Sequence, residues 1–422
     1  MSTNLARILD TDHEKPRVTR DLFDEIPDSG AITRDHLQVG QSEILRLTGE
    51  FWTSGQRQAS SLHEISYRAC FKPQLPRYFI KRFTIEGDAV YDPFSGRGTS
   101  AIEAGLMGRR VVANDVNPLS RILTEPRLFP PTTKTVEERL SRTKYRKKLA
   151  ADLDLSMFYH RNTESELVAL KRYLAERKAS GDEDSVDLWI RMVATNRLTG
   201  HSPGFFSVYT FPPNQAVSAD SQRKINEKRK QTPEYRDTKS IILKKTKSLL
   251  SNLTDQDRAH LGKIATSAQF LVGDARFTRG IENGSVQLTV TSPPFLDIVG
   301  YASDNWLRCW FNEVDVDAVT GNITMAKTIE EWSLVMGGVF KELYRVSKQG
   351  GWVAFEVGEI RNATLRLEEH VVPLGILAGF SCEAILINSQ IFTKTSNLWG
   401  VKNNKAGTNS NRIVVFKRCW PC

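Results

Sequence analysis

The chain has 422 residues, with 58 Lys or Arg against 49 Asp or Glu and a formal net charge of +9 at pH 7. Hydrophobic residues make up 40% and charged residues 25%, which excludes wholesale disorder and allows a large core. No apolar run approaches the ~20 residues that span a bilayer, and the polar segment Met1–Lys15 lacks the apolar core of a secretion signal. Five scattered cysteines favour a reducing compartment, so we expect a cytoplasmic protein with no membrane partner. The mild basic excess suits nucleic acid.

The N-terminal half begins with a polar segment and then changes texture. We interpret residues 1–60 as an N-terminal arm with one or two helices, because Gln41–Trp52 has weak helical periodicity. An apolar strand at Asp88–Tyr91, a glycine turn, a helix at Ser100–Met107 and a second strand at Arg110–Ala113 follow. This order is the opening of a doubly wound α/β sheet.

The alternation of strands and helices resumes near the C-terminus. Strands are predicted at Gln269–Val272, Val286–Thr291, Trp352–Val357, Glu383–Asn388 and Arg412–Lys417, with helices at Trp332–Val346 and Val371–Gly379. We therefore predict one doubly wound, Rossmann-like α/β sheet built from residues 61–119 and 268–422. Residues 120–267 form a helical insertion, with helical periodicity at Val136–Leu153, Glu164–Lys178, Ser185–Leu198 and Ile241–Leu253.

The segment Val90–Ser100, VYDPFSGRGTS, follows the first sheet strand. Gly96 and Gly98 let the backbone approach a ligand closely and adopt a positive φ. Asp92 can bind a positively charged amino group, and Asp115, at the end of the second strand, can accept hydrogen bonds from both hydroxyls of a ribose. No Gly-Lys-Ser/Thr sequence follows, and Asp92 would repel phosphate. The segment therefore favours a cationic ligand that carries adenosine, and S-adenosylmethionine fits.

A second motif, Thr291–Phe295, has the sequence TSPPF and ends another predicted strand. Pro293 and Pro294 fix φ and remove two amide donors, which leaves their carbonyls as acceptors in a stiff, extended shape. If Ser292 Oγ and the Pro293 carbonyl accept both N–H bonds of a base amine, the nitrogen is pulled towards tetrahedral geometry and its lone pair points at a methyl donor. Phe295 would stack on the base and favour the positive charge that develops on nitrogen. The alternative is a proline-terminated strand entering a loop.

These motifs resemble those of the amino-group DNA methyltransferases of the class I, S-adenosylmethionine-dependent fold. Asp92–Thr99 is similar to their cofactor motif, Asp-Pro-Phe-x-Gly-x-Gly-Thr, and Asn114–Pro118 to their ribose-binding segment. Ser292–Phe295 is similar to their catalytic motif in its Ser-Pro-Pro form, typical of cytosine-N4 enzymes, whereas Asp/Asn-Pro-Pro is more usual for adenine N6. Phe71–Pro76 resembles the element that closes over the methionine part of the cofactor, although it lacks the usual aromatic residue after the first proline. Asp274 occupies the place of an acid that often contacts the adenine.

The resemblance implies S-adenosylmethionine as the cofactor and requires neither a metal ion nor a covalent nucleophile. It implies a cofactor site formed by Phe71, Pro73, Asp92, Phe94, Gly96, Gly98, Thr99, Asp115, Asn117 and Asp274. The catalytic residues that it implies are Ser292, Pro293, Pro294 and Phe295.

The insertion is our candidate for target recognition, since little chain follows the last strand. Residues 221–247 contain ten Lys or Arg against three acids. Such a run is often only a solvated helix face, but here we predict contacts with the DNA backbone through Lys228, Arg229 and Lys230.

The uncharged aromatic segment 200–213 is the second feature of the insertion. It could line the pocket of an extruded base through His201 and Phe205, or wedge the gap that the base leaves. The alternative is a packed surface loop that buries Phe205, Phe206 and Phe211. After the catalytic strand, Asn305 and Arg308 are further candidates for the base pocket, together with Tyr301, Trp306 and Trp310, although the tryptophans have the spacing of core residues.

The sequence therefore predicts transfer of a methyl group to an exocyclic amine of a base in double-stranded DNA at a specific sequence, with cytosine N4 favoured. The target base must leave the duplex, because its amine is otherwise paired. Adenine N6, an RNA or tRNA base amine, and a catalytically silent DNA-binding regulator are the alternatives. Intact Asp92, Asp115 and Ser292 argue against the silent regulator. A restriction endonuclease is a candidate partner, and the sequence does not predict the oligomeric state.

Overall fold

The protein is described by a computed structural model that covers residues 32–40, 42–52, 59–67, 70–145, 148–212, 215–294, 301–322, 326, 328–357, 359–360, 365–389 and 410–420. Its strands are β1 (Thr33–Val39), β2 (Ser42–Gly49), β3 (Ala89–Asp92), β4 (Arg110–Asp115), β5 (Gln269–Val272), β6 (Val286–Thr291), β7 (Ser347–Val357), β8 (Glu359–Ile360), β9 (Leu365–Arg366), β10 (Ser381–Ser389) and β11 (Ser410–Lys417).

Its helices are α1 (Gln74–Phe83), α2 (Thr99–Leu106), α3 (Leu119–Leu128), α4 (Thr133–Arg142), α5 (Arg161–Ala179), α6 (Ser185–Arg197), α7 (Ala219–Arg229), α8 (Thr238–Leu249), α9 (Asp255–Ile264), α10 (Tyr301–Asn312), α11 (Val316–Asn322), α12 (Ile329–Val346) and α13 (Leu367–Leu377). None of the described helices is long and apolar enough to cross a membrane.

Within the described residues, nine strands form one sheet in the order β1-β2-β10-β11-β7-β6-β3-β4-β5. Strands β7, β6, β3, β4 and β5 run parallel to their neighbours, and β11 runs antiparallel to both of its neighbours. The chain leaves β3 towards β4 and β5 and later returns on the other side as β6 and β7. The order therefore reverses between β3 and β6, which confirms the prediction of a doubly wound α/β sheet.

The sheet is buried on both faces, and this explains its uninterrupted apolar strands. Successive side chains of a strand point to opposite faces. In β3, Val90 packs in the same core cluster as helices α1, α2 and α6, whereas Ala89 and Tyr91 pack in the cluster that contains α12 and α13. On the first face the rings of Phe83 and Trp352 stack with centroids 4.2 Å apart. Two helical layers thus enclose the sheet.

The N-terminal helix predicted over Gln41–Trp52 is wrong, because Ser42–Gly49 is a strand. It pairs antiparallel with β1 and parallel with β10. Ile44 and Leu47 are both buried, and a spacing of three residues gave the helical signal. In a strand, residues three apart lie on opposite faces, and these two side chains pack in the two different core clusters.

Helices dominate the predicted insertion, where α5, α6 and α8 lie within a few residues of their predicted bounds. The helix predicted over Val136–Leu153 is wrong beyond Arg142, where α4 ends. Val136 and Leu140 supply the buried face of α4, and the following apolar residues Leu153 and Leu155 lie outside helices, in turns that pack on the same core.

Candidate active site

The two sequence motifs meet at one edge of the sheet. Strands β3 and β6 pair in parallel, with Val90 opposite Leu288 and Tyr91 opposite Thr289, so their carboxyl ends emerge side by side. Thr291 Oγ1 donates a 2.6 Å hydrogen bond to Asp92 Oδ1, although the two residues are 199 positions apart in sequence. This edge lies at the reversal of the strand order, where doubly wound sheets bind their ligands.

A glycine turn connects β3 to α2 and is held by Asp115. The Gly96 amide donates to Asp115 Oδ2 at 2.8 Å, and the Asn117 amide donates to Oδ1 at 2.9 Å. Gly98 has a φ of 76°, and a Cβ at this position would lie 2.3 Å from Thr124 Cγ2, so only glycine fits there. Each carboxylate oxygen of Asp115 can still accept a second hydrogen bond, such as one from a ribose hydroxyl.

Burial perturbs both carboxyl groups at this edge. Asp92 is only 2% exposed, and this burial raises its pKa to about 7 against the opposing effect of hydrogen bonds from Thr291, Phe94 and Ser100. Burial likewise raises the pKa of Asp115 to about 6, despite its two backbone donors. A ligand ammonium beside Asp92 would favour the ionised form. The chemistry of this pair therefore fits a cationic ligand that carries a ribose, as S-adenosylmethionine does.

The strand ends next to this pair are tied together by Asn114, a residue that the sequence analysis did not single out. Its side-chain amide donates to the Pro93 carbonyl at 3.2 Å and to the Gly273 carbonyl at 2.9 Å. It thereby joins the ends of β3, β4 and β5. Asp274, the predicted adenine contact, follows directly and is paired with Arg276 at 2.6 Å.

The remaining predicted cofactor residues lie in two neighbouring segments. Phe71 is partly buried, and Pro73 is buried at the start of α1. Thr99 is buried at the first position of α2. Phe94 is partly buried in the glycine turn, and the side chain of Asn117 accepts from the Leu119 amide at the start of α3. Asn117 therefore has a structural task, whatever its relation to a ligand.

The catalytic turn leaves β6 at Ser292. Ser292 is partly buried, Pro293 is buried and Pro294 is exposed. The Pro294 carbonyl accepts a 3.0 Å hydrogen bond from Trp332 Nε1, which fixes the turn against α12. Phe295, the predicted stacking residue, lies outside the described residues.

Sequence reasoning missed Glu356, which contacts Ser292. Thr291 is opposite Phe355 in the β6–β7 register, so the next residue of each strand lies at the same edge. The Ser292 hydroxyl and the Asn411 amide both donate to the Glu356 carboxylate, and burial raises the pKa of this carboxyl to about 7. One signal was present in the sequence, because Glu356 interrupts the apolar run of a strand predicted to be buried on both faces.

The aromatic segment of the insertion corrects one predicted DNA contact. Phe205 is buried, with the Arg197 guanidinium 3.9 Å from its ring centroid, so its ring is not presented to DNA. Phe206 is buried as well, whereas Phe211 is 58% exposed. His201 is exposed.

The basic run does not form one uniform surface. Lys228, Arg229 and Lys230 are exposed at the end of α7, and the Arg229 guanidinium lies 3.8 Å from the Tyr209 ring centroid. Other members of the run have partners within the fold: Arg223 pairs with Asp154 and Asp220, Arg236 donates to the carbonyls of Ser202, Phe205 and Ser207, Lys239 donates to the Thr143 carbonyl, and Lys245 pairs with Glu64.

Helix α10 joins the catalytic turn to the insertion. Asn305 and Arg308 are buried on this helix, and Arg308 Nη1 donates to Asn305 Oδ1 at 3.0 Å. Trp306 Nε1 donates to the Val217 carbonyl, and the Ala216 amide donates to the Asp304 carbonyl. The chain that follows Phe211 therefore packs on the helix that follows the catalytic turn.

Comparison with known proteins gives a consistent family. Residues 15–120 match the N6_N4_Mtase family model, whose description is DNA methylase. The Type II methyltransferase M.MjaII of Methanocaldococcus jannaschii is 34% identical over 76 residues, 18% of this chain and 14% of the relative. The Type II methyltransferase M.BsoBI of Geobacillus stearothermophilus is 35% identical over 71 residues, 16% of this chain and 14% of the relative. The matches thus span a small part of either relative's length.

A solved structure of a SAM-dependent methyltransferase from Methanosarcina mazei is 11% identical, with 81% of this chain and 98% of that chain covered at a TM-score of 0.31. An overlap at this TM-score carries no argument, and the fold assignment rests on the strand order. The family model, the curated relatives and the two motifs at one sheet edge together place this chain in the amino-group DNA methyltransferase family, with the class I, S-adenosylmethionine-dependent fold.

Proposed function

We propose that this chain transfers the methyl group of S-adenosylmethionine to an exocyclic amine of a base in double-stranded DNA, at a specific sequence, with cytosine N4 favoured. The hydrogen bond between Thr291 and Asp92 carries this proposal. It supports a shared cleft, because it joins the segment with a cofactor motif to the segment with a catalytic motif. Neither motif could perform methyl transfer if it stood alone.

Three groups of residues would hold the cofactor. Asp92 would bind its ammonium group and Asp115 its ribose hydroxyls, while Asp274 lies next in line for the adenine. Phe71 and Pro73 would close over the methionine part. When bound, S-adenosylmethionine supplies an electrophilic methyl group on a positively charged sulfur. The protein's task is then to orient and polarise the acceptor amine.

The catalytic turn would perform that task. Ser292 Oγ and the Pro293 carbonyl accept the two N–H bonds of the amine, and its lone pair becomes available for attack. Phe295 stacks on the ring and stabilises the charge that develops on nitrogen. The Ser-Pro-Pro sequence supports cytosine N4 over adenine N6 as the acceptor, by its likeness to the cytosine-N4 form of the motif.

Target recognition is assigned by this proposal to the helical insertion, residues 120–267, set into a catalytic domain of residues 61–119 and 268–422, with residues 1–60 as an arm. Lys228, Arg229 and Lys230 would neutralise phosphates. Phe211 would take the stacking role that was predicted for Phe205, since it presents an exposed ring. A restriction endonuclease that cuts the same sequence is the proposed partner.

Modification-sensitive sequencing of DNA from cells that express the chain tests this function, because it returns the modified base and its context together. We expect N4-methylcytosine at one sequence, its loss in Ser292→Ala, and its retention in the control Ser251→Ala, which alters an exposed serine between α8 and α9. N6-methyladenine at one sequence would replace the proposed acceptor. A mark confined to RNA would contradict the DNA substrate, and cofactor binding without any mark would favour the silent regulator.

A further inference from the structure

Glu356 is a buried carboxyl group at the catalytic edge. It is 8% exposed, and it lies on β7 beside the end of β6, where it accepts hydrogen bonds from Ser292 and Asn411. No described residue forms an ion pair with it. A buried carboxylate without a cation costs free energy, and such groups are concentrated at functional sites.

We infer that Glu356 is a positioning residue, which acts through Ser292 to orient the serine lone pairs towards the acceptor amine and to take up the proton that this amine loses. The inference rests on the proposed function and assigns a destination to a proton that the two motifs leave unassigned. It also gives the serine of the catalytic turn a fixed hydrogen-bonding direction.

The direction follows from the chemistry of the two groups. A hydroxyl can donate one hydrogen bond and accept two, whereas an ionised carboxylate can only accept. With Glu356 ionised, the Ser292 proton must point at the carboxylate, so the oxygen lone pairs face the cleft. The amine needs acceptors and presents donors. A serine without this partner could turn its proton towards the amine and lose the polarising contact.

The proton balance is complete with these groups. The amine nitrogen forms a bond to the methyl carbon as the carbon–sulfur bond breaks, and the bonding electrons stay on sulfur. The methylated nitrogen is then positively charged and passes one proton to Ser292 Oγ. The hydroxyl proton of Ser292 moves at the same time to Glu356. The products are a neutral methylamino base, an intact serine and a neutral carboxyl, which returns its proton to water after product release.

The surroundings of Glu356 suit reversible protonation. Burial raises its pKa to about 7, and donation from Asn411 on β11 and Ser292 on β6 opposes this rise. Cys70, from the segment before α1, also lies within its electrostatic range. Because the group titrates near neutral pH, it can act as an acceptor in one step and release the proton in the next.

The test is the pH dependence of kcat, measured at saturating cofactor and duplex DNA in the full chain. For the wild type we expect kcat to rise with pH through about 7. In Glu356→Gln we expect kcat to fall by about 100-fold and the rising limb to vanish, with each KM changed by less than about twofold. The control Glu43→Gln removes the same charge from exposed β2 and should leave kcat and its pH profile unchanged.

A second variant separates this role from a merely structural one. Asn411→Ala removes a donor to the carboxylate, so the pKa of Glu356 should rise and the rising limb should move to higher pH. Should Glu356→Gln fail to fold, Glu356→Asp should keep the limb at a reduced rate. Wild-type kcat with an unchanged limb in Glu356→Gln, or an unmoved limb in Asn411→Ala, would overturn the inference. Absence of methyl transfer in the wild type would instead overturn the proposed function.

Discussion

Cofactor affinity should depend on pH through Asp92. Burial raises the pKa of this carboxyl to about 7 in the ligand-free protein, and the ammonium group of the cofactor is best held by the ionised form. Binding then requires loss of a proton whenever the pH is below about 7. The sign is therefore fixed: affinity increases as the pH rises towards 7 and becomes constant above it.

The magnitude follows from the same pKa. Below about 7, each pH unit should weaken binding by about tenfold, or about 1.4 kcal/mol. Asp115, with a pKa near 6, adds a further dependence at lower pH if it must be ionised to hold the ribose. The window between about pH 6 and 7 therefore reports chiefly on Asp92.

Isothermal titration calorimetry with a non-methylating, cationic cofactor analogue measures this effect. Titrations in two buffers of different ionisation enthalpy should show proton release below pH 7. Asp92→Asn should bind weakly and lose the dependence in this window, whereas the control Asp182→Asn, in an exposed turn, should retain it. An affinity in the wild type that is constant, or that falls as the pH rises from 6 to 7, would refute the reasoning.

Further substitutions test the glycine turn and the DNA surface. Gly98→Ala should destabilise the protein by about 2–4 kcal/mol in thermal unfolding, because of its positive φ and its clash with Thr124, whereas Gly262→Ala, with open space around it, should not. Phe211→Ala should weaken duplex binding in fluorescence anisotropy by about 1–3 kcal/mol through lost stacking, whereas Phe205→Ala should mainly lower stability by about 3 kcal/mol; equal effects on binding would contradict this assignment. The salt slope of duplex binding should fall by about 0.9 for each lost phosphate contact, and an unchanged slope would assign to solvent the side chains replaced, which are Lys228, Arg229 and Lys230.

The sequence predicts the sheet well because its strands are buried on both faces. Continuous apolar runs set the bounds of β4, β5 and β6 to within two residues, and the glycine motif located the turn after β3. The hairpin strand β2 was missed because Ile44 and Leu47 have a helix-like spacing while packing on opposite faces. Periodicity cannot distinguish one buried helix face from two buried strand faces at so short a length.

The site was predictable only where its residues are contiguous. The Gly96 turn and the Ser292 turn are local motifs, and the parallel pairing of β3 and β6 brings them together. Glu356 acts through its register opposite a residue of β6, which no local pattern specifies. Similarly, Phe205 and Phe211 belong to one loop, and the helices on which the loop packs determine which ring is buried.

A crystal structure of the chain with a bound cofactor analogue would test the shared cleft most directly. We predict that the ammonium group contacts Asp92, that the ribose hydroxyls contact Asp115, and that the sulfur position faces the space in front of Ser292. An analogue bound with its sulfur position on the far side of the sheet from Ser292, or held by residues other than these two carboxyls, would contradict the account.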